Sequence, residues 1–343
     1  MQIRHRLSYI APFLAFITVF SLLMAACGSN STTTGASSSS SSSTSLTAVS
    51  IGLGYVPDIQ FAPFYVAQAK GYYKAAGLDV TFHHGIVPDL IGSMIAGKNT
   101  FVFAGGDEEL EAMSANSSVK VIDIGTIFQK YPVSLIVPAN SSIKTLADLK
   151  GHTIGVPGLY GSTYTGLLGL LYSAHLSTSD VKLESIGFTQ VAALLTHKVD
   201  AVVGYSNNEP LQLQEHGMPV RTFDVSNYQP LVSNGIITTD ATYQSQPKMV
   251  CGFVQATLKG VQEVISNPSE ALTISESYVP GMNTAQAAKV LQATIPIWQS
   301  NNGQLGYNDS ATWQAMEQFL VAQKIIKPVA NLAQVYTNQC LAG

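Results

Sequence analysis

The chain predicts an α/β protein of two lobes, each a mostly parallel sheet flanked by helices. Three observations lead to that expectation. Strand-like and helix-like runs alternate from residue 49 onward, the rhythm expected when parallel strands are joined by helical crossovers. The strand runs are short and continuously apolar, as at residues 133–137, which suits strands covered on both faces. Finally, the alternation restarts after Pro138 and returns to an apolar strand near residue 236, so one lobe interrupts the other and the chain crosses between them twice.

Taken in order, residues 49–55 read as the first strand and 63–76 as a helix closed by Gly77, a residue suited to the left-handed C-cap. Strand 78–83, helix 90–96, strand 101–104 and helix 108–115 follow, then buried-type strands at 119–128 and 133–137. Past Pro138 a short helix at 146–149 precedes a fresh strand at 153–156. Helix 162–175, strand 181–186, helix 189–196, strand 201–205 and helix 210–215 continue the series. Strand 236–238 opens a mainly helical remainder. This assigns residues 46–137 and 236–343 to lobe 1 and 138–235 to lobe 2.

The N-terminal residues suggest a location. Arg4 and Arg6 precede an apolar tract from residue 7 to 26, which stops at Met24-Ala25-Ala26-Cys27-Gly28. Small residues followed directly by cysteine form a lipoprotein signal, with 1–26 removed and Cys27 lipidated. The alternative is an uncleaved membrane anchor, since the tract is nearly long enough to span. Residues 27–45 are almost wholly small and polar and read as a flexible tether. The protein is therefore expected outside the cytoplasm, lipid-anchored to the cell membrane.

Composition narrows the function classes. Charged residues make up 11% of the chain, and 17 Lys and Arg against 21 Asp and Glu leave a net charge of −4. No cationic cluster is present to neutralise a phosphate backbone, which excludes nucleic acid as a partner. No nucleophile elbow, Walker loop or metal-binding histidine pair occurs, so neither a catalytic site nor a cofactor or metal site is expected. Cys251 and Cys340 either pair, as an oxidising compartment permits, or remain separate thiols.

Four blocks, "APFYVAQAKGYYKAAGLDV", "IAGKNTFVFAGGDE", "KTLADLKGHTIGV" and "KVDAVVGYSNNEP", resemble the successive blocks of solute-binding proteins of ABC importers. The branch they resemble also contains sulfonate, thiamine-pyrimidine and riboflavin binders. The resemblance spans the whole domain after the tether. It implies a type II periplasmic-binding fold: two α/β lobes joined by a two-strand hinge, closing as a monomer over a ligand that is handed to an ABC permease and its ATPase. The same superfamily contains thiamine-pyrimidine synthases, which use a lysine and a histidine after the third strand and a later cysteine cluster. Here Ala104 and Glu108 stand at the matching places, and "LVSNGIITTD" has no cysteine. A Schiff base needs an amine, so the enzymatic reading is disfavoured. "GYVPDIQFAPFYVA" with "ESIGFTQ" is more similar to riboflavin and thiamine-precursor binders than to sulfonate binders. A sensory or adhesive lipoprotein of the same fold is a further alternative.

Ligands in such folds bind at the carboxyl ends of strands, which nominates four stretches. Tyr55, Asp58, Gln60 and Phe61 follow the first strand, while Tyr72 and Tyr73 on the next helix are expected to be core. Asp107 and Glu108 follow Gly105-Gly106 and could accept hydrogen bonds from a ligand or cap the helix. The stretch "GLYGSTYTG" supplies free backbone N–H groups ahead of a helix, hydroxyls on Ser162 and Thr163, and rings on Tyr160 and Tyr164; the alternative makes Ser162 an N-cap. Tyr205, Asn208 and Glu209 end another strand, before Pro210 opens a helix. His83 and His84, adjacent in a strand, point to opposite faces and do not chelate together. The chemistry on offer is ring stacking with neutral and acidic hydrogen bonding, which suits a planar, uncharged heterocycle.

Overall fold

The computed structural model describes residues 45–299 and 303–341. The expected leader, Cys27 and nearly all of the tether lie outside the described residues. The first lobe opens with β1 (Thr47–Gly54), α1 (Ala62–Ala69), α2 (Tyr72–Ala75), β2 (Leu78–Gly85), α3 (Val87–Ile95), β3 (Phe101–Gly105), α4 (Gly106–Ala115) and β4 (Val121–Thr126). The chain then crosses, and β5 (Val133–Pro138), β6 (Thr153–Val156), α5 (Gly161–Ser173), β7 (Lys182–Ser185), α6 (Gln190–Leu195), β8 (Ala201–Tyr205), α7 (Glu209–Glu215) and β9 (Val220–Asp224) build the second. It returns as β10 (Asn234–Thr239), followed by α8 (Asp240–Ser245), α9 (Pro247–Ser266), α10 (Pro268–Ser275), α11 (Thr284–Trp298) and α12 (Ser310–Ala322).

Each lobe is built on a five-stranded sheet, in the orders β2-β1-β3-β10-β4 and β7-β6-β8-β5-β9. In both, four strands share one direction and the strand just after a crossing, β5 or β10, runs against its two neighbours. The parallel strands of both sheets end at the gap between lobes. Because β10 is antiparallel, its first residue, Asn234, also lies at that edge. The loops that carry polar side chains therefore converge on one cleft.

Several expected boundaries change. Residues 133–137 belong to the second sheet, where they pair with β8 and β9; an apolar run shows that a strand is buried, not which sheet buries it. The helix expected over 63–76 is two, divided at Gly71, whose φ is 72°. Residues 146–149 form a 3-10 turn, and β9, which has only one fully buried side chain, Phe223, was not anticipated. The C-terminal part does not pack with lobe 1 alone. Trp313, Met316, Phe319 and Leu320 of α12 join Val133, Leu135, Leu167 and Phe223 in one apolar cluster.

The aromatic residues after β1 are largely core. Phe64 meets Phe103 edge to face at 5.3 Å, Tyr65 stacks on Tyr278 at 4.6 Å, and Tyr73 stacks on Phe253 at 5.0 Å. The Tyr73 hydroxyl is held by Thr257 of α9 at 2.9 Å, so the ring buries apolar area without leaving its polar end unpaired. Tyr72 is half-buried and donates to Glu263. A bond between Cys251 on α9 and Cys340 ties the C-terminal segment to this layer across 89 residues. A cross-link of that span restricts the unfolded chain strongly. Replacing both cysteines with serine is expected to lower unfolding free energy by about 3 kcal/mol, within the 2–5 typical of such losses, as read by urea denaturation. An unchanged midpoint would mean that the bond contributes nothing.

Candidate functional site

Between the lobes lies a cavity of about 100 Å3. Lobe 1 lines it with Tyr55, Phe61, Phe103 and Phe128, and with Gln60, Glu108 and Asn234. Lobe 2 supplies Tyr160, Phe188 and Tyr205, with Ser162, Thr163, Gln190, Asn208 and Glu209. None of the lining residues is Lys, Arg or His. A second hollow, of about 430 Å3, adjoins it and shares Tyr55, Phe188, Gln190 and Glu209.

The aromatic groups brace one another. Phe103 meets Phe61 at 6.2 Å and Phe128 at 5.6 Å, both edge to face. Tyr55 and Phe188 meet edge to face across the cleft at 4.9 Å, and both belong to the two hollows, so this pair divides them. The polar groups are fixed in the same way. Glu209, buried in the first turn of α7, accepts the Tyr205 N–H at 2.7 Å. Burial pushes its carboxyl up to about 7, against that hydrogen bond. Gln60 accepts from Asn207 across the cleft at 2.9 Å, and Asn207 also donates to Thr294 at 2.8 Å. The Tyr205 hydroxyl donates to Asn234 at 3.2 Å.

Where α4 and α5 begin, their first turns meet. The Gly105 N–H donates to Glu108 Oε2 at 2.9 Å, so Glu108 folds back onto the start of its own helix. Ser162 is not an N-cap: α5 starts at Gly161, and the Ser162 hydroxyl reaches across to Asp107 Oδ1 at 2.9 Å and Glu108 Oε2 at 3.3 Å. Gly161 has φ 72°, and a Cβ there would lie 2.8 Å from Glu108 Oε1. Only glycine meets both demands without strain.

The structure thus brings Tyr55, Gln60, Phe61, Glu108, Tyr160, Ser162, Thr163, Tyr205, Asn208 and Glu209 to one cavity. Three nominated residues are not among its lining. Asp58 accepts the Gln60 N–H at 3.0 Å and caps the short turn before α1, a local use that commonly satisfies a short carboxylate after a strand. Asp107 is fully buried between α4 and α5, against Ser162 and Tyr131. Tyr164 lies inside α5, one turn beyond the cleft edge. His83 bonds Asn99 at 2.6 Å and His84 contacts the Tyr55 carbonyl at 3.3 Å; neither lines the cavity, and burial lowers the pKa of His84. Among the described residues no group of three His, Cys, Asp or Glu side chains is placed to hold a metal ion.

Reading the sequence missed Gly85 to Pro88 at the end of β2, Phe188 and Gln190 after β7, the braced rings Phe103 and Phe128, and Asn234. The first two groups follow parallel strands, the same positional rule that found the others. Asn234 could be found only once β10 was known to be antiparallel.

Comparison with known proteins agrees with this geometry. The family described as "NMT1/THI5 like" matches residues 58–271. The chain is 33% identical over 308 residues to the riboflavin-binding protein RibY of Chloroflexus aurantiacus, covering 87% of each. It is 25% identical over 312 residues to the formylaminopyrimidine-binding protein of Halalkalibacterium halodurans, covering 88% of this chain and 90% of that one. Among solved structures, the alkanesulfonate-binding protein SsuA from Xanthomonas axonopodis pv. citri, bound to MOPS, superposes with a TM-score of 0.69. It is 17% identical, with 85% of this chain and 98% of that one covered. The likeness to binding proteins, over 87–88% of the chain, supports a non-enzymatic role, and Ala104, buried on β3, offers no amine for a Schiff base. The chain belongs to the NMT1/THI5-like family, as a solute-binding protein with the type II periplasmic fold of ABC importers.

Proposed function

We propose that the protein is the lipid-anchored, extracytoplasmic receptor of an ABC importer that captures a planar, uncharged heterocycle of the flavin type. It acts as a monomer and delivers its ligand to the permease and ATPase of that importer. The observation that carries the reading is the character of the cavity: aromatic side chains from both lobes, amide and hydroxyl groups, two carboxyls and no cation. Such a lining stacks on a ring and reads N–H and C=O groups at its edge. It does not suit a sulfonate. The start of α5, otherwise a ready anion site, is faced by the Glu108 carboxyl.

Two ligand sizes are accommodated differently. The adjoining hollow supports a flavin, with its ring in the inner cavity and a polyhydroxyl tail beyond the Tyr55 and Phe188 pair, near Gln190, Gln212 and His216. The small inner cavity favours a thiamine-type pyrimidine as the second reading. The identity to a protein named for riboflavin, 33%, exceeds that to one named for formylaminopyrimidine, 25%, which supports the flavin as the first reading.

A thermal-shift panel of riboflavin, thiamine, formylated and hydroxymethyl pyrimidines and taurine tests this. A ligand at a hundred times its dissociation constant adds about 2.7 kcal/mol, several degrees of midpoint for a domain of this size. Riboflavin alone is expected to give that shift; a shift with taurine alone would overturn the aromatic reading. Phe188→Ala, removing one face of the dividing pair, is expected to weaken riboflavin about tenfold, in line with one aromatic contact. Gly161→Ala should cost about 1–2 kcal/mol in left-handed strain and weaken ligand further by pressing on Glu108. Unchanged affinity in Gly161→Ala would show that α4 and α5 need not meet when ligand is held.

A further inference from the structure

We propose that closing the cleft takes up protons, because the contact between α4 and α5 is complete only when carboxyl groups on α4 carry hydrogen. The geometry is a matter of counting. The Tyr131 hydroxyl lies 2.7 Å from the Ser162 carbonyl and 3.1 Å from Asp107 Oδ2. The Ser162 hydroxyl lies 2.9 Å from Asp107 Oδ1 and 3.3 Å from Glu108 Oε2. That makes four contacts, and the two hydroxyls bring one hydrogen each. A carbonyl and an ionised carboxylate only accept.

With both carboxylates ionised, two of the four contacts set lone pair against lone pair, one of them at Asp107, which is fully buried. One hydrogen on Asp107 Oδ2 and one on Glu108 Oε2 complete the chain. Asp107 then donates to Tyr131, and Tyr131 to the Ser162 carbonyl. Glu108 donates to the Ser162 hydroxyl, and Ser162 to Asp107 Oδ1. Asp107 and Glu108 belong to lobe 1, Ser162 to lobe 2 and Tyr131 to the crossing segment. Parting the lobes breaks the chain and returns both carboxyls to water.

No Lys, Arg or His side chain faces the contact to hold the negative form, which only the Gly105 N–H and the two helix starts favour. Glu111 on the same helix accepts from Thr165 of α5 at 3.0 Å, adding a third carboxyl to the contact. Tyr205 faces it from β8. Glu109 turns the other way, toward Asp123 of β4, Glu317 of α12 is engaged with the Val329 N–H, and Asp89 of α3 is at the surface. None of the ion pairs among the described residues includes Asp107, Glu108 or Glu111. Burial pushes Asp107 up to about 6, and burial with the neighbouring Asp107 pushes Glu108 up to about 8.

The direction follows from linkage. Hydrated carboxyls ionise near pH 4, whereas the closed contact keeps its hydrogens to higher pH. Closure is therefore most favoured in acid. The advantage falls as pH rises from about 4 and is gone above about 8, with Glu108 and Glu111, which burial pushes up to about 7, the groups in play near neutrality. One proton taken up corresponds to roughly tenfold weaker binding per pH unit.

This inference rests on the receptor reading for its meaning, but half of its test needs no ligand. Calorimetric titration of the full chain with riboflavin at pH 7, in buffers of different ionisation enthalpy, is expected to show between one and two protons taken up, most of one by Glu108 and a further share by Glu111. Affinity should fall about tenfold or more per unit around pH 7. Glu108→Gln removes one titrating carboxyl, so whatever its affinity for riboflavin, the protons taken up per binding event should fall by close to one and the pH slope should flatten with them. Small-angle scattering of the ligand-free full chain should show the radius of gyration rising from pH 5 to 8.5, and rising less in Asp107→Asn/Glu108→Gln. Binding without proton exchange, or a radius that does not respond to pH, would overturn the latch. Absent riboflavin binding together with a pH-dependent radius would support the latch and remove the flavin reading instead.

Discussion

Two helix N-termini face each other across the cleft, and the rest of the site depends on what lies between them. The α4 and α5 helices both start where a parallel strand ends, so both direct unpaired N–H groups and the positive end of a dipole into the gap. Unassisted, these ends would repel. Carboxyl groups on the first turn of α4 fill the space: Glu108 takes the Gly105 N–H and meets Ser162, and Asp107 meets Ser162 and Tyr131. Gly161 must lack a side chain for this approach. The contact fixes how near the lobes come and therefore the width of the cavity.

That constraint explains the cavity's chemistry. Acidic groups already occupy the anion-seeking helix ends, leaving aromatic rings and amides to recognise a ligand. The rings are held by one another, as Phe61, Phe103 and Phe128 are, and the amides by bonds across the cleft, as Gln60 and Asn207 are. A rigid, mostly apolar slot with a few fixed polar groups suits a flat neutral molecule better than a small anion. The Tyr55 and Phe188 pair, one ring from each lobe, lies in the wall shared by the cavity and the adjoining hollow.

Much of this was legible in the sequence, for definable reasons. The order of strands and helices follows from hydrophobic period, and the strand-end rule nominated Tyr55, Glu108, Ser162, Tyr205 and Glu209, which the fold brings to one cavity. What escaped depended on partners distant in sequence. Residues 133–137 look the same in either sheet, and α12 shows an apolar face without showing that it packs on Val133 and Leu167. Asp58 and Asp107 have the composition of ligand groups, but the first is satisfied by its own turn and the second by the opposite lobe. Phe188 sits at a strand end to which the same rule applies, whereas Asn234 matters only because β10 runs backwards.

The central claim, that this cleft encloses a flat uncharged ring between aromatic walls, is tested most directly by titrating riboflavin fluorescence with the protein. An isoalloxazine stacked on an electron-donating tyrosine ring, of which the cavity has Tyr55, Tyr160 and Tyr205, loses emission. The account predicts saturable quenching at one ligand per chain. Unchanged emission at protein concentrations where an alkylsulfonate is bound would contradict it.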